Sequence, residues 1–170
     1  INTWDVSQIT NFTQLFTDKG YSSEIPFNSD ISNWDVSNGT RFHGMFSGAS
    51  EFNQDISSWD VSNATSLEQM FYGATSFNQD ISSWNVSNVE NFQWMFLDAT
   101  SFNQDISSWD VGSANNFFGM FSGAEAFNQD IGSWDVGNGQ HFGRMFKDAS
   151  SFNQDISCLL YTSDAADDSL

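Results

Sequence analysis

FNQDISSWDV occupies Phe52–Val61, and the same ten letters return at Phe102–Val111. Phe77–Val86 reads FNQDISSWNV, Phe127–Val136 reads FNQDIGSWDV and Phe27–Val36 reads FNSDISNWDV, each copy 25 residues from the next. A fixed period between about 20 and 50 residues marks a repeat architecture, in which each unit buries its apolar face only against its neighbours.

With the Phe of this motif as position one, units begin at Phe27, Phe52, Phe77, Phe102, Phe127 and Phe152. All the methionines share one column, Met45, Met70, Met95, Met120 and Met145, and a phenylalanine follows each. Tryptophans form a second column at Trp4, Trp34, Trp59, Trp84, Trp109 and Trp134. The step from Trp4 to Trp34 is 30 residues, which places an insertion near 17–26, in TDKGYSSEIP. The expected organisation is a single solenoid over residues 1–157.

Inside a unit, Ile56, Trp59 and Val61 have the L-x-x-L-x-L spacing of a leucine-rich repeat. Trp59 and Val61 alternate with Asp60, which predicts a short half-buried strand. Ser62-Asn63 can turn the chain. The next stretch, TSLEQMFYGA, carries Leu67, Met70, Phe71 and Ala74 at i, i+3, i+4 and i+7, the pattern of one helical face. Thr65 with Glu68 reads as a capping box and Gly73 as a stop. The expected fold is therefore a leucine-rich-repeat-like, right-handed coil with one short parallel strand and one short helix or 3₁₀ turn per repeat. Trp59, Trp84 and Trp109 are expected to stack inward with Met70 and Phe71 facing them. The Asn column (Asn28, Asn53, Asn78, Asn103, Asn128, Asn153) is expected to be buried and to bond free backbone groups at a bend.

Energetics require that the units stack. Each buried apolar side chain contributes about 1.5–3 kcal/mol, and ordering each backbone residue costs about 1–2 kcal/mol. With roughly one residue in three facing inward, an isolated unit is unstable, and neighbours must cover each other.

Composition narrows the class of function. The chain of 170 residues is 39% hydrophobic and 16% aromatic, too aromatic for a disordered segment. Four basic residues stand against 22 acidic ones, a formal charge of -18. Such a surface repels phosphate backbones and anionic lipid, so nucleic-acid binding is excluded as a function. No run of 18 apolar residues exists, so no membrane insertion is expected. Cys158 is alone, so no internal disulfide framework is expected. The first residue is Ile1, and the chain reads as an excerpt from something longer.

FNQDISSWDVSN, a variable stretch and then MF-x-G/D-A resemble the BspA-like leucine-rich-repeat surface proteins, more specifically a 25-residue-repeat family of unknown function grouped with them. The likeness covers roughly Ile1–Ser157. It implies a bacterial surface protein, extracellular and adhesive, and it brings no catalytic residues. The 30-residue first repeat departs from the pattern. So does the tail: after Ser157, CLLYTSDAADDSL abandons the repeat, and Leu159 stands where Trp belongs. Residues 158–170 resemble translated read-through of a sequencing adapter at the end of a metagenomic fragment.

Three constellations bear on chemistry. His43 and His141 occupy different columns and are solitary, and no Ser-His-Asp arrangement repeats, so no enzyme is expected. Asp55, Asp80, Asp105 and Asp130 belong to one acidic column, and Asp35, Asp60, Asn85, Asp110 and Asp135 form another. Stacked carboxylates repel, and Ca²⁺ would relieve them through hard oxygen ligands. Neither column has the spacing of a glycine-rich Ca²⁺ loop, however. The plainer expectation is that these aspartates bond local backbone N–H groups, with no cofactor. Finally, positions fifteen, seventeen, eighteen and twenty-one vary while their neighbours repeat. Among them Tyr72, Trp94, Leu97 and Phe118 are large, off the Met/Phe register, and candidates for a partner-binding surface. Filling gaps between units is their competing role.

The leading expectation is a non-enzymatic extracellular scaffold that binds a host or neighbouring-cell protein or glycan. A structural spacer is one alternative. A cation-stabilised or ice- or mineral-binding solenoid is the other.

Overall fold

The computed structural model describes residues 1, 3–17 and 26–157. Most of the insertion and the whole non-repeating tail at 158–170 lie outside the described residues. The chain is a repeat protein whose 25-residue units stack in register. Parallel bridges join Asn11 to Arg41, Arg41 to Ser66, Ser66 to Asn91, Asn91 to Asn116 and Asn116 to His141, all at position fifteen.

The ladder of the stack runs through the segment expected to be a short helix or 3₁₀ turn, and there the chain forms single hydrogen-bonded turns instead of a helix. Among the described residues there is no α-helix. Leu67 N–H donates to the Asn91 carbonyl at 3.0 Å, Gln69 to Gln93 at 3.0 Å, Phe71 to Met95 at 2.9 Å and Gly73 to Leu97 at 2.7 Å. The amides between them turn back inside their own coil: Met70 donates to Leu67, Tyr72 to Gln69 and Ala74 to Phe71, each at 3.1 Å. Every second N–H thus links coils and the rest close four-residue turns. Two of these three turns, 67–70 and 71–74, have positive φ at their third residue, Gln69 (56°) and Gly73 (65°). They also carry Leu67, Met70, Phe71 and Ala74 to one side, and all four are buried. The i, i+3, i+4, i+7 pattern was genuine, but a helix would spend its amides internally and leave nothing to join coil to coil. Thr65 is no cap here, since its Oγ1 donates to the Thr40 carbonyl of the preceding coil at 3.3 Å.

The segment expected to be a strand, Trp59–Val61, makes no backbone ladder among the described residues. Side-chain donors join the coils along this edge instead. Trp59 Nε1 donates to the Ile31 carbonyl at 3.2 Å and Trp84 Nε1 to that of Ile56 at 3.1 Å. Asn63 Nδ2 reaches Ser37 and Asn88 Nδ2 reaches Ser62, both at 2.8 Å. A third edge belongs to the motif asparagines. Asn78 N–H donates to Asn53 Oδ1 at 3.0 Å and Asn103 N–H to Asn78 Oδ1 at 2.9 Å, with Gln79 Nε2 sharing the Asn53 oxygen at 3.0 Å. This ladder bonds backbone as expected, but Asn53 and Asn78 are exposed rather than buried.

The core sits inside these three edges. Trp59, Trp84 and Trp109 are 4%, 4% and 3% exposed, so the column faces inward as its register predicts. Two phenylalanine stacks run along the axis. Phe71 lies 5.6 Å from Phe46 and from Phe96, and Phe77 lies 5.9 Å from Phe52 and 6.0 Å from Phe102. Within a turn of chain Phe71 meets Phe77 at 3.9 Å, and Trp84 sits 6.3 Å from Phe71. Identical side chains therefore stack at favourable offset spacings. Trp4, at 59% exposure, is the column's exception and stacks on Trp34 at 6.4 Å.

Candidate functional site

Because positions sixteen, nineteen, twenty and twenty-three point inward, positions seventeen, eighteen, twenty-one and twenty-two point out. One side of the stack is thereby a surface on which side chains change from coil to coil. The structure brings Tyr72, Trp94 and Leu97 together there: with Gln69 they line a depression of about 330 Å³. Phe118 joins through Trp94, its ring 5.9 Å away and turned 72° edge to face. Phe118 lines a second depression of about 300 Å³ with Gln93, Asn116 and His141. Tyr72, Trp94, Leu97 and Phe118 are all half-buried, with one side against the stack and the other toward solvent.

The backbone under this face is constrained. Position eighteen has positive φ in every coil described: Gln14 (54°), Gly44 (59°), Gln69 (56°), Trp94 (55°), Gly119 (61°) and Arg144 (61°). The Trp94 indole lies over Gly119, where a Cβ would stand 2.5 Å from its Cδ1. The glycines at 44 and 119 were the sequence signal for this conformation, legible only once position eighteen is known to be a turn.

Carboxamides thread the same face. Asn116 Nδ2 donates to Gln93 Oε1 at 2.8 Å, and Asn91 Nδ2 to Glu68 Oε2 at 3.0 Å. His43 Nδ1 is 3.6 Å from that same Glu68 oxygen. Asn91 and Asn116 also fold back on themselves, accepting the amides of Gln93 at 2.9 Å and Phe118 at 3.0 Å. The sequence marks Gln93 and Asn116 as variable, but only the apolar members stand out as candidates, since polar composition alone does not distinguish these amides from solvated surface. Arg144 lies 6.0 Å from the Phe118 ring centroid. Arg41, Arg144 and Lys147, three of the four basic residues of the chain, all occupy variable columns.

The acidic columns lie elsewhere and are occupied locally. Oδ1 of Asp55, Asp80 and Asp105 accepts the amide of the serine two residues on, each at 2.9 Å, and Asp130 accepts that of Gly132 at 2.9 Å. The second column does the same, as in Asp60 with Ser62 at 2.9 Å. In Asp55, Asp60 and Asp105 the serine hydroxyl, then its amide, holds the carboxyl below the ordinary range; in Asp80 the amide of Ser82 leads. Among the described residues no three His, Cys, Asp or Glu side chains converge as a metal set.

A family model described as "Mycoplasma protein of unknown function, DUF285" matches residues 1–101 and again residues 80–167. The chain belongs to this family. The two overlapping matches agree with the internal repetition of the DUF285 sequence. No curated protein and no solved structure matches the chain. Among the described residues of this DUF285 chain, no helix is long and apolar enough to cross a membrane.

Proposed function

We propose that the chain is a non-enzymatic, extracellular scaffold segment of a bacterial surface protein, which presents its variable face to a protein or glycan of a host or neighbouring cell. The likeness of FNQDISSWDVSN and MF-x-G/D-A to BspA-like repeat proteins supports the surface location and the adhesive role. Right-handed winding of a leucine-rich-repeat-like solenoid is part of this reading, on the same likeness.

One observation carries the functional part: the only large, half-exposed aromatic cluster among the described variable positions occurs where the repeat otherwise allows small residues. Ser47 and Ser122 occupy the column of Tyr72 and Leu97, and Gly44 and Gly119 that of Trp94. Aromatic residues grouped on a rigid surface are typical anchors of recognition.

The test uses substitutions that the chain itself supplies from other coils: Tyr72→Ser, Trp94→Gly, Leu97→Ser and Phe118→Gln together. Beads coated with the native chain should adhere to cell monolayers, and beads with the fourfold variant should lose most of that adhesion at an unchanged melting temperature. Equal adhesion by both would contradict the reading and favour a spacer whose face is indifferent.

A further inference from the structure

The geometry points to a specific occupant for the variable face: we propose that it binds an extended neutral glycan, with sugar residues in the depression at Trp94 and in the neighbouring depression at Phe118. This rests on the scaffold reading above and names the ligand class for the same surface.

Position eighteen supplies the first argument. Its backbone is left-handed, a conformation that strains an L-residue and that glycine adopts freely. Gly44 and Gly119 satisfy it without penalty, so folding does not call for an indole there. Trp94 adopts it at 55°, as Gln14, Gln69 and Arg144 do, so what sets position eighteen of this coil apart is the half-buried indole it presents to solvent. Gly119 beneath it leaves room for the indole, since a Cβ there would stand 2.5 Å from Trp94 Cδ1.

The lining chemistry supplies the second. The first depression has an indole, a phenol, an isobutyl group and the carboxamide of Gln69; the second has Phe118, two carboxamides and an imidazole. No carboxylate lines either, in a chain of charge -18. Apolar C–H faces set among neutral hydroxyls are the surface such a lining complements: rings take the faces, and amides donate to and accept from the hydroxyls. An anionic glycan would meet the long-range repulsion of the acidic columns. Volumes of about 300 and 330 Å³ lie at the small end of ligand sites, suited to a single sugar ring each.

Spacing supplies the third. Coils joined by hydrogen bonds advance by roughly 4.8 Å, close to the advance of one pyranose residue along an extended β-linked chain. Trp94 and Phe118 stand on successive coils with ring centroids 5.9 Å apart, within reach of neighbouring sugar residues of one glycan.

The experiment is calorimetric titration of the full chain with cellohexaose and chitohexaose, both neutral and extended, and with an alginate hexamer as the anionic control. Trp94→Gly is the test variant and Tyr72→Ser the second, with melting temperature as the folding control. At least one neutral hexasaccharide should bind saturably, Trp94→Gly should weaken it by tenfold or more at an unchanged or higher melting temperature, and alginate should not bind. Absence of binding to both neutral probes, or binding that survives Trp94→Gly, overturns the proposal. If neither sugar binds while the fourfold variant still loses cell adhesion, the ligand class is wrong and the scaffold reading stands. If adhesion too is unaffected, the scaffold reading fails as well.

Discussion

Asn78 shows how much of this fold rests on single polar atoms. Its Oδ1 receives both the Asn103 amide and Gln104 Nε2, each at 2.9 Å, so one oxygen joins two coils. Asn78→Ala removes that acceptor at an edge where water replaces part of the loss. It should destabilise the chain by about 1 kcal/mol in urea unfolding, whereas Asn78→Asp, which keeps the oxygen, should cost less. Trp34, Trp59, Trp84, Trp109 and Trp134 are similar: each fills the core and also ties its Nε1 to the isoleucine carbonyl of the preceding coil. Residue identity was readable from the sequence wherever the column repeats, because a strict 25-residue recurrence of Trp, Met and Phe leaves inward stacking as the natural outcome. The asparagine column was read correctly as a backbone partner but wrongly as buried, since recurrence reveals constraint without revealing on which side of the chain it acts.

The turn ladder is where sequence reasoning and structure part. Leu67, Met70, Phe71 and Ala74 satisfy a helical face and a chain of four-residue turns equally well, and side-chain periodicity cannot separate the two. The deciding feature is backbone handedness at positions eighteen and twenty-two, which glycines advertise in some coils while Gln69, Trp94 and Asp98 conceal it in others. For the same reason the aromatic members of the variable face were legible, as large residues off the core register, while its carboxamides and the strain under Trp94 were not. Gly119 tests this element directly. Its φ of 61° and the 2.5 Å approach of a built Cβ to Trp94 Cδ1 make Gly119→Ala costly, by about 1–3 kcal/mol. In a Trp94→Gly background the clash disappears and only the left-handed penalty of about 1 kcal/mol should remain. A double-mutant cycle by thermal unfolding should therefore show non-additivity, and strict additivity would mean that the indole does not lie over Gly119.

At the scale of the molecule the acidic columns dominate. A net charge of -18 repels itself through solvent, so added salt should raise the melting temperature by screening. Since each column aspartate of known geometry is satisfied by its own chain, CaCl₂ should do no more than NaCl at equal ionic strength, and a large Ca²⁺-specific gain lost on Asp80→Asn with Asp105→Asn would reverse that conclusion. Acid acts in the opposite sense. Asp55, Asp80 and Asp105 titrate from 3.8 when free and lower in the folded chain, where serine hydroxyls and amides favour the ionised form. Their contribution is complete above about pH 4 and disappears as pH falls through the lowered folded values. Melting temperature should accordingly hold or rise between pH 7 and pH 4, as charge repulsion eases, and then fall toward pH 2; a continued rise to pH 2 would show that these turns contribute nothing.

Everything proposed for the variable face depends on coils joined through Leu67–Gly73 and its equivalents, and hydrogen-bond scalar couplings in solution observe those bonds directly. The stack predicts coupling from the Phe71 amide nitrogen to the carbonyl carbon of Met95, one coil away, and from Phe96 to Met120. Coupling from Phe71 to Leu67 instead, the partner an α-helix would supply, would contradict the turn ladder and the face it builds.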